Sequence, residues 1–394
     1  MNNACMKTIM RLLPLVIGLF LSKISFSQAD SSIPKIAVFA PLYLDSAFDN
    51  SMNYRYGNNF PKFLNPGLEF YEGLQIAVDS LQKEGIKMDV HVFDTRGANS
   101  SVAKFASDPE FNNTDLIIGH ITASEARTLA EIAAKNNIPF INVNYPNDAG
   151  VTNNPNYIIL NSTISTHCAA LYKFLQKNYS TSDIIFLKRK GKDEKLEAYF
   201  TDLGKTTSSV PLKMKSVTVD DALSGKVLLK NLDSTKSNII VAASLDVNFA
   251  NNLLQTINGY GESYQVTVLG MPNWDNLDMG KSMSENLELI YGTPFYVNPT
   301  DKKAESIHQY FKTKFYSRAT DMVYRGYETL YHFGHLLTIH GTNTGSSLSD
   351  KRFKAFTDFD IQPVLDKKTM TLDYFENRKI YFVKKVAGVV KAVY

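Results

Sequence analysis

The sequence predicts an α/β fold built as two similar halves, each a parallel sheet with crossover helices. Strand-like apolar runs alternate with helical patterns almost throughout the chain. The alternation comes in two successive runs, and the 367 residues that follow position 27 are long for one core. Hydrophobic residues make up 44% of the chain, enough for two.

The first run opens with a strand over 35–44, a helix whose apolar face is Leu68, Tyr71, Leu74, Val78 and Leu81, and a strand over 88–93. Strands at 116–119 and 139–143 follow around a helix over 124–136. A strand at 157–160 leads into a helix on which Cys168, Leu171, Tyr172 and Leu175 recur at i, i+3, i+4 and i+7, making Cys168 a core residue. The second run has strands at 184–187, 214–219, 239–243, 266–269 and 289–291, separated by helices from Asp193, Ala222 and Asp246. Two long helical patterns, 302–316 and 322–340, precede a Gly/Ser/Thr-rich segment at 341–349, read as a linker or a crossing connection. A terminal hairpin of 380–385 and 389–393 turns at Gly388. Residues 45–66 break the pattern. They are rich in Asn and Pro and carry Phe48, Tyr54, Tyr56, Phe60 and Phe63, a length and composition that fit either a functional lid or a surface excursion packed on its own aromatics.

The amino end sets the expected compartment. Lys7 and Arg11 form a basic start, 12–21 an apolar run, and Ser25-Phe26-Ser27 a small-x-small site, the pattern of a secretory signal peptide over residues 1–27. Ten apolar residues are too few to span a bilayer, and Cys5 precedes the run, where it cannot carry a lipid. The expected mature chain starts at Gln28 and is periplasmic or secreted, with no stable membrane insertion. Processing removes three basic residues and leaves 39 basic against 39 acidic side chains, which argues against nucleic acid or an anionic membrane as partner. Only Cys168 survives, so an intramolecular disulfide is excluded.

The richest local signal is 116–125, where an apolar strand runs into the hydroxyl-bearing turn Thr122-Ala123-Ser124 and opens a helix. Such a turn offers backbone N–H groups and a partial positive charge to a carboxylate or another acceptor-rich ligand. Thr122 through Glu125 also fits a capping box, the bland alternative. The location at the carboxyl end of a strand favours a ligand. Elsewhere, His332 and His335 lie one turn apart on the helix that ends at His340, but without Cys or HExxH a metal is not expected. The basic run Lys188-Arg189-Lys190-Gly191-Lys192 reads as a solvated loop or as a wall facing an anion. The nucleophile elbow GxSxG, the phosphate loop GxxxxGK[ST] and the dinucleotide fingerprint GxGxxG do not occur, so neither an enzyme nor a cofactor is expected.

The ordered set of the signal peptide, Phe70-Tyr71-Glu72-Gly73-Leu74, Val92-Phe93-Asp94-Thr95, Ile118 through Ser124 and Ile138-Pro139-Phe140-Ile141-Asn142 resembles the type I periplasmic solute-binding proteins of the Leu/Ile/Val-binding kind, and looks especially like versions found in Bacteroidetes. The resemblance implies two Rossmann-like lobes joined by three crossing strands, with a small molecule bound in the cleft between them and hinge closure around it. It implies lobes of 34–160 with 295–343 and of 161–294 with 344–394, and crossings near 160–163, 293–295 and 341–349. It implies that Thr122, Ala123, Ser124, Asn144 and Tyr145 hold a ligand carboxylate, and that a carboxylate on the turn after Leu269 receives an ammonium group. Here the sequence departs. Pro146 stands where a hydroxyl is expected, and Met271-Pro272-Asn273-Trp274 carries no carboxylate before Asp275, which counts against a free α-amino acid. Asn273 and Trp274, with Tyr145, would suit a sugar, nucleoside or peptide fragment, although Trp274 also reads as packing. Thr95, Arg96 and Asp246 complete the candidate set. The implied role is delivery of an amino acid, sugar, nucleoside or peptide fragment to an ABC permease; the alternative is an envelope sensor or cell-wall-fragment module without transport, with an enzyme a distant third.

Overall fold

The computed structural model describes residues 33–97, 101–342, 345 and 347–393; the signal-peptide reading lies outside them. Two seven-stranded sheets organise the chain. Strands β1 (Lys35–Ala40), β2 (Asp89–Asp94), β3 (Leu116–Gly119), β4 (Phe140–Asn142) and β5 (Tyr157–Ile159) build the first, in the parallel order β2-β1-β3-β4-β5. Strands β6 (Ile184–Arg189), β7 (Met214–Val219), β8 (Asn238–Ala242), β9 (Val266–Gly270) and β10 (Leu287–Thr293) repeat that order in the second as β7-β6-β8-β9-β10. The fold is the two-lobe α/β arrangement expected from the sequence.

Side-chain period dictates the layering. Along β1, Ile36, Val38 and Ala40 join one apolar cluster and Ala37 and Phe39 another, because successive strand residues face opposite sides. A strand buried on both faces must read as a continuous apolar run, and β1, β3 and β8 do. One face of the first sheet is covered by helices α2 (Asn65–Lys83) and α10 (Asp321–His340), the other by α4 (Ala123–Asn136). The second lobe has one continuous core with α5 (Ile164–Tyr179) and α8 (Val247–Asn258). Helices α1 (Leu44–Ala47), α3 (Val102–Phe105), α6 (Glu194–Thr206), α7 (Gly225–Leu229) and α9 (Lys302–Lys314) complete the set.

The last strands correct the expected lobe boundary. β11 (Ile361–Leu365) and β12 (Leu372–Asn377) form an antiparallel pair, and β12 adds in parallel to β5, so they finish the first sheet rather than the second. Only β13 (Tyr381–Val386) and β14 (Val389–Val393) join the second sheet, where β13 pairs with β10. Their turn uses Ala387 and Gly388 at φ 43° and 82°, the doubly left-handed geometry of a two-residue hairpin. The chain therefore passes between lobes at Leu160 to Thr163, between β10 and α9, and at Arg378 to Ile380. The expected crossing at 341–349 is instead a connection inside the first lobe: Leu348 is buried in its core and the Ser349 hydroxyl accepts the Ile361 N–H at 2.6 Å.

Two crossings are tied to each other. Glu376, almost fully buried, accepts the Thr163 N–H at 2.8 Å, and its other oxygen lies 3.2 Å from Arg378. The Ser162 hydroxyl donates to the Asn377 carbonyl at 2.6 Å, and the Asn377 amide donates to the Leu160 carbonyl at 3.2 Å.

After the second crossing the chain must dock α10 onto α2. Gly73 and Gly326 let the backbones touch: a Cβ at Gly73 would sit 2.1 Å from the Val323 carbonyl oxygen, and one at Gly326 would sit 2.2 Å from that of Phe70. Backbone cannot yield as a side chain can. Gly326→Ala is expected to lower stability by about 1–3 kcal/mol or more through overpacking, read as a shift of the urea midpoint; an unchanged midpoint would show that the helices can separate without cost.

Candidate functional site

Ligands of open α/β sheets bind outside the carboxyl ends of the strands, at the point where strand order reverses. In the first lobe that point lies between β1 and β3, in the second between β6 and β8. The sequence builds a different Arg–carboxylate structure at each.

In the first lobe the Asp94 carboxylate accepts the N–H groups of Leu42, Tyr43, Leu44 and Arg96 at 2.8–3.1 Å, pinning the turn after β1. Arg96 donates to the Thr95 carbonyl at 2.8 Å and pairs with Glu125. Glu125 also accepts the Thr122 N–H at 2.7 Å and its hydroxyl at 2.8 Å. Burial pushes the Glu125 carboxyl up, but the Arg96 guanidinium and the two Thr122 donors outweigh it and hold the group below its ordinary range. Thr122 thus serves the cap, as the bland reading required. Ala123 and Ser124 are exposed at the start of α4, beside Tyr145 in a shallow depression that Arg127 and Asn147 also line. Ser124 keeps its hydroxyl within 3.3 Å of that of Thr122 and makes no stronger side-chain bond.

In the second lobe Arg189, buried at the end of β6, pairs with Asp193 at 2.9 Å and with Asp246 at 2.7 Å. Asp246 is the N-cap of α8, accepting the Asn248 and Phe249 N–H groups. These donors and Arg189 together keep its carboxyl low. Asp246 is thereby engaged within its own lobe.

The other candidates are taken up by packing and by bonds within the protein. Trp274 is fully buried, its ring against Gly270 and its indole N–H donating to the Ser244 carbonyl at 2.9 Å, so it is core packing and not a cleft wall. Asn144 spends its amide on both backbone groups of Ile121, at 2.6 and 3.0 Å, which holds the turn that carries Thr122. Thr95 is buried behind Arg96. His332 has a ring nitrogen 3.0 Å from the Leu348 carbonyl, and His335 lies 2.9 Å from Glu84. The aromatics of 45–66 pack on one another, Phe48 tilted against Tyr54 and Tyr56 edge-on to Phe63, while Phe60 and Phe63 stay 46% and 45% exposed.

Residues from both lobes meet in one cavity of about 650 Å³. Asn147 and Arg325 line it from the first lobe, His167, Asn273 and Asp275 from the second, with Asn161 and Ser162 at the crossing. Asn273 alone of the candidate set lies in this wall. Arg325 stacks on Phe295, 4.1 Å from the ring centroid, and its guanidinium has no hydrogen bond or ion pair among the described residues; Nε is buried. Burial pulls its pKa down, against the opposing charges of Asp321, Glu328 and Asp275. His167 is 5% exposed with Nε2 unpartnered, and burial lowers its pKa to about 3, so the ring is neutral. Asp275, raised by burial against the pull of Arg325, supplies the carboxylate that the turn after β9 was expected to lack. Cys168 is buried with its thiol pushed up to about 12. No group of three or more His, Cys, Asp or Glu able to hold a metal occurs among the described residues. The cavity holds donors and acceptors, and the groups found there can bind.

Arg325 and His167 escaped the sequence reading because each sits on a helix whose period reads as core. Only the return of the chain through its crossings brings α10 and α5 to one cavity.

A family model described as the receptor family ligand binding region matches residues 71–261. A search of curated proteins finds no match. Among solved structures, a putative branched-chain amino acid ABC transporter protein from Rhodospirillum rubrum is similar at 12% identity and TM-score 0.65, covering 92% of this chain and all of that one. An ABC transporter substrate-binding protein from Desulfitobacterium hafniense is similar at 14% identity and TM-score 0.58, with the same coverage. A leucine-binding protein from Thermotoga maritima is similar at 15% and 0.52, covering 92% and 98%. At such identities the likeness is one of fold, and the fold is the two-lobe type I periplasmic-binding-protein fold.

Two stability predictions follow from the site. Thr122→Ala should cost about 1 kcal/mol by loss of the cap, whereas Ser124→Ala should stay within about 0.5 kcal/mol of the parent in the same urea titration. Equal losses would place Ser124 in the cap as well. Glu328, one turn beyond Arg325 and fully buried, accepts the Thr357 N–H at 2.9 Å, and burial raises its pKa from 4.5 to about 7. The folded chain then binds more protons at this position than the unfolded chain between those values, so stability falls as pH rises through that window. The loss is on the order of 2–3 kcal/mol, and Glu328→Gln should remove it; parallel slopes for the two proteins between pH 4.5 and 7.5 would refute the assignment.

Proposed function

We propose that the protein is an extracytoplasmic solute-binding protein that captures a small molecule between its lobes and delivers it to a membrane transporter, an ABC permease. The observation that carries the reading is the cavity of about 650 Å³ lined from both lobes, at the carboxyl ends of two sheets joined by three crossings. Its size suits a small molecule rather than a macromolecule. Export supports the same role: the amino-terminal signal pattern predicts it, and among the described residues no helix is long and apolar enough to cross a membrane. The fold is shared with substrate-binding proteins of ABC transporters, one of them described in complex with leucine.

The ligand is drawn from amino acids, sugars, nucleosides and peptide fragments. Asp275 in the cavity wall removes the sequence-based objection to an amino acid, because an ammonium group there meets a carboxylate. Ala123, Ser124 and Tyr145 form the adjoining rim on the first lobe and Asn273 the facing edge on the second. Binding across the cavity draws the lobes together by bending at the crossings.

A thermal-shift screen of those four ligand classes should yield a compound that, at a hundred times its Kd, stabilises the fold by about 2.7 kcal/mol, several degrees in Tm. Small-angle scattering with that compound should give a smaller radius of gyration than without it. Identical scattering curves at saturation would reject hinge closure, and no hit in any class would reject solute binding.

A further inference from the structure

We infer that the ligand is a small molecule bearing an oxyanion, a carboxylate or a phosphate, and that Arg325 is its anchor, with His167 meeting the same group from the opposite lobe. The inference rests on the solute-binding reading and deepens it. Its ground is a contrast among the arginines. Arg96 is satisfied by Glu125 and the Thr95 carbonyl, and Arg189 by Asp193 and Asp246. Arg325 is half-buried with Nε fully covered, lines the cavity, and has neither a hydrogen bond nor an ion pair among the described residues. A half-buried guanidinium without a protein partner is open to an anion, and a planar fork of donors is the group best matched to carboxylate or phosphate oxygens. The Phe295 ring, 4.1 Å from the guanidinium carbon, supports the fork from one side.

His167 is the independent second observation. More than nine-tenths buried, it lines the same cavity with Nε2 unpartnered. A neutral imidazole in the tautomer carrying its proton on Nε2 donates to an oxyanion without adding a buried charge. The amino end of α5, a helix of sixteen residues, opens at Ile164 in the same wall and adds the positive end of its dipole. Asp275 gives the cavity a direction. It accepts the Asn276 amide at 2.7 Å and repels a second oxyanion, so the acidic group lies toward Arg325 and a hydroxyl or other donor toward Asp275. Because Arg325 belongs to the first lobe and His167 to the second, one anion contacting both links capture to closure.

The test uses acids paired with neutral partners of like shape: succinate with succinamide, benzoate with benzamide, galacturonate with galactose, and inorganic phosphate alone to separate the two oxyanions. At least one acid should bind by calorimetry with its neutral partner tenfold or more weaker. Arg325→Met, which keeps an apolar stem on Phe295, should lose that acid tenfold or more while its ligand-free Tm is unchanged, because no hydrogen bond or ion pair among the described residues is lost. His167→Ala should weaken the same acid. Neutral partners that bind as well as their acids, or an Arg325→Met variant that binds the acid like the parent, would overturn the inference and leave solute binding standing. If no compound binds here while neutral compounds raise Tm in the broader screen, the oxyanion assignment is wrong; silence in both removes the solute-binding reading too.

Discussion

The buried carboxylate of Glu376 holding the Thr163 N–H, with Ser162 and Asn377 bonded across the same gap, is the interaction on which the cleft depends. It makes two of the three passages between the lobes into one hydrogen-bonded unit. Without it, Leu160 to Thr163 and Arg378 to Ile380 would be separate tethers, and the carboxyl ends of the two sheets would have no fixed relation. Glu376 is almost fully buried, so removing the carboxylate would leave the buried Thr163 N–H without an acceptor, while Arg378 would keep its bond to the Thr166 hydroxyl.

The two lobes handle charge in the same way. At the strand-order reversal of each, an arginine is neutralised by carboxylates that also cap a helix: Arg96 through Glu125 in the first, Arg189 through Asp246 in the second. Each pair stiffens its own lobe and leaves little for a ligand. Three of the buried polar groups left without partners among the described residues, on Arg325, His167 and Asn273, lie in the cavity that both lobes line. Arg189 lines the same cavity but is paired, whereas Arg325 is left without a partner there, and a ligand can supply one.

Much of the fold was legible because parallel strands buried on both faces must be apolar throughout, and β1, β3, β6, β8 and β9 announce themselves that way. β11 and β12 did not. β11 carries Pro363, tolerable only because the strand is an edge, and its exposed face erases the apolar run. The crossing at Arg378 to Ile380 was therefore assigned to 341–349, where turn-forming composition imitates a linker. At the site, the helix start at Thr122 was visible as chemistry, but whether a capping residue also faces a ligand is a matter of exposure. Trp274 shows the converse: an aromatic beside a strand end points inward here because Gly270 leaves room for its ring. Arg325 carries no local signature, since its solitude is defined by what fails to reach it.

The strand β12 has a consequence for the order in which the molecule can be assembled. It pairs Phe375 with Ile158 and Glu376 with Ile159, so the first lobe waits for residues made more than two hundred positions later. During synthesis from the amino end, the open edge of β5 stays unpaired until the chain is nearly complete. Contacts of such long sequence separation form slowly. The last strands to be made are thus the ones that complete the first sheet, and its core closes only when the carboxyl end of the chain arrives.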